Sequence, residues 1–200
     1  MHLTTTLGML AFPVWVVILI TLWRARRWLP FYVIGALGGV VFVMLLAQAT
    51  GLDNVIEALE ARQVLALASH LGLTLVVLGT NGLAIKNHTG WGVFDIGVEC
   101  SALMEITAMG ALVLFYPAVF TPARKTLVVA TGTVMTYLFN LARILFIAEI
   151  VAHLGTDWVF PAHAVFGRML FFLLTIALYW RLVTIPTVRH IGTNLREANE

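Results

Sequence analysis

Six apolar runs constrain this 200-residue chain more than any other feature of it. They extend from Leu7 to Trp23, Leu29 to Thr50, Val64 to Ile85, Cys100 to Phe120, Leu127 to Val151 and Ala162 to Thr184. Each is near the ~20 residues that a helix needs to cross a bilayer. A small soluble core cannot hide them, because 60% of the residues are hydrophobic and only 11% are charged. The pattern predicts an all-α integral membrane protein of about six transmembrane helices, forming one polytopic domain over residues 1–200. The first run reads as a span and not as a signal peptide, since no positively charged region precedes it and no small-residue cleavage site follows it.

The formal net charge of +2 says little, and no basic and aromatic pattern for nucleic acid is present. No internal repeat and no Gly-rich phosphate loop is found. One cysteine excludes an internal disulfide framework and leaves a thiol to be explained. His70, His88, His153 and His163 have no spacing suited to a metal, so neither metal nor cofactor is expected.

Between the third and fourth runs, "GLAIKNHTGWGVFDIGVEC" carries the turn signal Asn87-His88-Thr89-Gly90 between two short apolar segments. It reads as a small extracytoplasmic hairpin at the membrane surface, just before the cysteine helix. That helix closes at Pro117 and Pro122, with Arg124 and Lys125 following, which marks its far end as cytoplasmic by the positive-inside rule. The next helix then rises outward, and the last returns to a cytoplasmic tail over 186–200. Tryptophans 23, 28, 91, 158 and 180 suit interfacial belts.

This topology brings three reactive side chains to one leaflet. Cys100 opens the fourth run on the outer side, between Glu99 and Ser101. A helix rising from Ala123 carries Arg143 roughly 30 Å, about the hydrocarbon thickness. His163 opens the final helix at the same level. A thiol near a helix N-terminus and a positive charge is favoured as thiolate, with Glu99 opposing. His163 can serve as base toward the thiol and as acid toward a leaving amine. Arg143 supplies a permanent charge and fixed donors for an oxyanion. Asn140, one turn before it, can orient the guanidinium or the substrate. Ser101 lacks the Gly-x-Ser-Gly setting of an intramembrane serine protease and reads as a helix cap.

"ECSALME", "NLARI" (140–144) and "AHAVFGR" (162–168), in that order and on those helices, resemble the exosortases and archaeosortases. These are multi-pass prokaryotic membrane proteins regarded as cysteine transpeptidases. The resemblance covers the motif-bearing part, residues 83–185, and is nearest to the short exosortase G type. A departure is Ala102, where many relatives have glycine. The resemblance implies a site of Cys100, Arg143 and His163 facing outward from a prokaryotic plasma membrane. Its substrate would be a secreted protein with a C-terminal transmembrane sorting signal, cut through a Cys100 thioester and passed to an unknown acceptor.

Two further expectations concern charge. Glu105 and Arg168 each lie five residues inward from Cys100 and His163, at equal depth. They are expected either to pair beneath the site, with Gly167 permitting close approach, or to pair elsewhere, Arg168 with Glu149 or Glu99. Glu105, Glu149 and Arg168 also fit an alternative function, a small transporter or channel subunit. Counting back from an outer Cys100 places "RARR" (24–27) outside, against the charge rule. Either the rule fails there or an early run is re-entrant, the second run being the better candidate through Gly35, Gly38 and Gly39. The stretch "LDNVIEALEARQ" (52–63) reads as an amphipathic interfacial helix.

Overall fold

The computed structural model describes residues 2–98, 100–116, 121–189 and 192, with side chains from Ala11 onward. In chain order it has α1 (His2–Arg24), α2 (Trp28–Thr50), α3 (Leu52–His70), a sheet of β1 (Leu75–Leu78), β2 (Gly82–Asn87) and β3 (Gly90–Asp95), then α4 (Leu103–Phe115) and α5 (Pro122–Leu154). The last helix, α6 (Thr156–Arg189), has a 3₁₀ first turn and two π-helical stretches, Ala162–Gly167 and Trp180–Thr184. The protein is mostly helical. Among the described residues, α2, α5 and α6 are long and apolar enough to cross a membrane, while α4 and the apolar Ala11–Arg24 part of α1 are shorter.

The chain falls into two compact units, each assembled from separate segments. One comprises the residues up to Thr50, Met104–Val134 and those from Leu178 on. Within it, α1 and α2 form a tight helical hairpin that turns at Arg26, whose φ is 54°. Phe12 and Trp15 both meet Phe42, and Trp23 meets Trp28 edge-on at 4.9 Å. The expectation of a broken second run is corrected here, because α2 is one continuous helix. Its glycines make room for neighbouring side chains: a Cβ at Gly38 would collide with the Trp15 indole, and one at Gly35 with the Phe115 ring. Small residues let apolar helices approach closely where no water drives them together.

The second unit comprises Gly51–Leu103 and Met135–Ala177. The third apolar run, expected as a span, is not one. After His70 the N–H of Leu73 bonds the carbonyl of Ala68 and that of Gly72 bonds Ser69, with Gly72 at φ 76°. This is a Schellman stop, which glycine adopts without steric cost. The β-branched residues beyond it then form β1. An apolar run bounded by a glycine reads equally as helix or buried strand by hydrophobicity alone.

The expected hairpin is present as β2 and β3, paired from Gly82↔Asp95 to Asn87↔Gly90, with β1 added antiparallel on the other edge of β2. Its two-residue turn is held by Asn87 Oδ1, which accepts from the Thr89 N–H and the Thr89 hydroxyl. The core of the unit gathers Leu83, Ile85, Phe94 and Ile96 from the sheet region, Ala61, Val64 and Ala68 from α3, and Ile144, Ile147 and Val151 from α5.

α3 is inverted relative to a surface helix. Asp53, Glu57, Glu60, Ala61, Val64 and Ala68 are buried, whereas Leu52, Val55, Leu59 and Leu67 are exposed. The expected amphipathic segment thus turns its carboxylates toward protein. Asn81 bridges from Glu57 Oε2 to the carbonyl of Ile96, donating at 3.0 Å to each.

Burial pushes the Glu57 carboxyl above its usual range, the Asn81 hydrogen bond pulls it back in part, and Asp53 adds to the rise. A carboxyl raised in the folded state binds its proton more tightly there than in the unfolded chain. Its contribution to stability therefore falls as pH climbs through the folded value. Glu57→Gln keeps an acceptor for Asn81 and removes the charge. It should raise the melting temperature in detergent at about pH 7, and the gain should vanish at about pH 4, where glutamate is largely protonated in both states.

Candidate active site

Cys100 does not open a helix as expected. It sits in the turn that joins β3 to α4, where the N–H groups of Cys100 and Ser101 both donate to the carbonyl of Gly97, at 2.8 and 2.9 Å. The thiol is reduced and almost wholly buried. Three residues later α4 begins, and its entry is capped from α3: Glu60 Oε1 accepts the Ala102 N–H at 3.0 Å. Ser101 is not the expected cap. Its hydroxyl donates backward to the carbonyl of Val98 at 3.3 Å.

α5 supplies the next two residues on one face. Asn140 is fully buried, and its Nδ2 donates to the Cys100 carbonyl at 2.8 Å. Its partner is therefore the cysteine backbone; a bond from Asn140 to the guanidinium is not what holds it. Arg143 is 2% exposed, with its guanidinium carbon 5.5 Å from the centre of the Phe171 ring. Among the described residues no carboxylate pairs with Arg143, and its Nε and Nη2 have no hydrogen-bond acceptor. A cation–π contact offsets part of the burial cost, but buried donors left unmade cost about 1–3 kcal/mol.

His163 arrives from α6. The start of that helix is tied to the tip of the hairpin, because the Thr156 N–H donates to Thr89 Oγ1 at 3.0 Å. One turn on, the helix opens into the π-helical stretch Ala162–Gly167, a distortion frequent at functional sites. The imidazole lies 5.7 Å from the Phe94 ring, and Nδ1 stands 3.8 Å from Cys100 Sγ. The hairpin thus serves both reactive side chains: its tip fixes the histidine helix, and its last strand leads into the cysteine turn.

The structure therefore brings Cys100, Asn140 and His163 together, with Arg143 one turn beyond Asn140. Glu99 lies outside the described residues. Glu105 is half-buried in the first turn of α4, and Arg168 is exposed on α6, in the other unit. Gly167 permits a close approach to Ile147 of α5, the arginine helix. Glu149 is exposed and within 3.3 Å of His153. Among the described residues no cluster of His, Cys, Asp and Glu is arranged to hold a metal.

Glu60 was missed by sequence reasoning, which placed its helix at the interface. Its acidic spacing, 53, 57 and 60 on one helical face, was the available signal.

Comparison with protein-family models, with curated proteins and with solved structures yielded no match to this chain.

Removing the Glu60 acceptor leaves the Ala102 N–H unmade in a buried place. Glu60→Ala should cost about 1–3 kcal/mol and lower the melting temperature by several degrees. Glu60→Gln retains the acceptor and should recover most of that loss in the same melt.

Proposed function

We propose that this protein is a membrane-embedded cysteine transpeptidase of the exosortase kind, which cleaves a C-terminal sorting signal of secreted proteins through a Cys100 thioester. The observation that carries this reading is the 3.8 Å approach of His163 Nδ1 to the thiol, beside a buried arginine with donors unmade. A nucleophile and its base at contact distance, with a cation nearby whose Nε and Nη2 have no acceptor among the described residues, is what acyl transfer requires.

The backbone argues for Arg143 as the oxyanion donor. Many acyl-transfer sites use the N–H groups around the nucleophile, but those of Cys100, Ser101 and Ala102 are already engaged, the first two by Gly97 and the third by Glu60. Arg143 Nε and Nη2 are the donors left over. The capping carboxylate also offsets the positive end of α4, so the charge that favours thiolate falls to Arg143 and to His163 once it is protonated.

In the proposed sequence His163 takes the thiol proton, and Sγ attacks the carbonyl carbon of the substrate. Negative charge gathers on the carbonyl oxygen, toward Arg143. The C–N bond breaks as His163 gives its proton to the leaving amine. An acceptor, an amine or another nucleophile, then attacks the thioester and yields its proton to His163, regenerating the thiol. The membrane setting is part of the proposal: a multi-pass protein of a prokaryotic plasma membrane, with α2, α5 and α6 spanning, the exposed Trp23, Trp28, Trp91, Trp158 and Trp180 in the interfaces, and Cys100 on the extracytoplasmic side. The substrate's own apolar helix would dock from the bilayer. Of the three charges behind the transporter reading, Glu149 and Arg168 are exposed and Glu105 is half-buried.

Co-expression with a secreted protein bearing such a signal tests the reaction. Wild type should cleave it, and Cys100→Ala, Arg143→Ala and His163→Ala should each lower the rate at least a hundredfold. Equal cleavage by Cys100→Ala would sink the proposal. The rate should follow a bell-shaped pH profile belonging to the coupled thiol and imidazole, lost in His163→Gln. With Cys100 buried, orientation is read from an exposed site: in a Cys100→Ala background a membrane-impermeant maleimide on intact cells should label His88→Cys in the hairpin turn, and labelling only after the cytoplasmic face is opened would overturn the orientation.

A further inference from the structure

Asn140 raises a question that the cysteine, histidine and arginine leave unanswered. Its amide has two ends, and the Cys100 carbonyl decides which faces which way: a carbonyl accepts only from N–H, so Nδ2 must face it, at 2.8 Å. Oδ1 then points elsewhere, fully buried and without a donor among the described residues. One turn along the same face of α5, Arg143 has the opposite deficit, buried donors without an acceptor among the described residues. Two such deficits one turn apart on a single helix are the complement of a group with one acceptor and one donor. Buried groups left unmet are costly, so a ligand that meets both recovers what the fold has forgone.

A peptide main chain has that form. In an extended residue the N–H and C=O point to the same side, as they do in the paired residues of an antiparallel ladder. If the carbonyl under attack faces Arg143, the N–H of that same residue is the donor available to Asn140. We propose that Asn140 is a specificity-determining residue whose Oδ1 accepts the N–H of the residue that Cys100 attacks. The inference rests on the cysteine-nucleophile reading of the site. It adds a requirement: the residue that becomes the thioester must have a free backbone N–H, so proline and N-methylated residues are refused there, and so is an ester oxygen in place of that nitrogen.

The sole thiol allows a test that needs no natural substrate. Full-length protein in detergent is treated with N-acetylalanyl chloromethyl ketone or its N-methyl analogue, and the Cys100 adduct is timed by mass spectrometry, with rates divided by those for glutathione. Wild type should prefer the N–H reagent about tenfold or more. Asn140→Leu should bring the ratio close to one, while Asn140→Asp, which keeps an acceptor but gives up the N–H that met the Cys100 carbonyl, should hold a ratio clearly above that of Asn140→Leu even where its absolute rates fall. Asn140→Leu also removes the Nδ2 bond to the Cys100 carbonyl, so its absolute rates should fall; chloroacetone, which has the carbonyl alone, gauges that fall, and a loss common to both peptidyl reagents cancels in their ratio. A wild-type ratio near one overturns the proposal whatever the variants do, and so does a tenfold preference that survives in Asn140→Leu. Loss of sorting-signal cleavage with the preference intact would count against the transpeptidase and leave the recognition standing.

Discussion

A single hydrogen bond, from the buried amide of Asn140 to the carbonyl of Cys100, is what makes the cysteine turn a fixed place. The turn has no helical or sheet ladder of its own. The N–H groups of Cys100 and Ser101 are met locally at Gly97, and that of Ala102 at the exit is met by Glu60 from a helix some forty residues earlier. In an apolar surrounding every such group left unmade is costly, so the few polar side chains that reach the turn dictate its geometry. The same economy explains why Arg143 stands out: it is the one long cation in this core that the protein leaves without an anion among its described residues.

The small sheet organises the unit from the opposite direction. Its central strand is covered on both faces, and its two ends reach the two reactive groups, Thr89 to the start of α6 and Ile96 to the cysteine turn. α3 backs the arrangement with its acidic face inward. An inverted helix of this sort is sensible where the outward surroundings are apolar: exposed leucines then lose nothing, while carboxylates find N–H donors only inside.

Much of the candidate site was readable because it lies in short, dense motifs. Cys100, Arg143 and His163 are the kinds of residue that apolar helices seldom hold without reason, and the turn signal at Asn87 to Gly90 named a hairpin correctly. What misled was length. The run from Val64 to Ile85 has the hydrophobicity of a span, yet Gly72 ends the helix and the remainder pairs as strand. Gly35 and Gly38 look like breaks in a pattern but are seats for Phe115 and Trp15. Glu60 looked like part of a solvated face, since nothing local says on which side of an amphipathic helix the protein lies.

By itself, then, the sequence determined the abundance of apolar helix and the hairpin, and it singled out Cys100, Arg143 and His163 as candidates, because these follow from composition, local turn chemistry and side-chain type. Only the tertiary structure decided that Cys100 lies in a turn, that Glu60 occupies the N–H a helix start would otherwise offer, and that Asn140 faces the cysteine carbonyl and leaves its oxygen unmet. Those three depend on which buried donor finds which buried acceptor across long stretches of chain, and pairing of that kind leaves no periodic trace in the sequence.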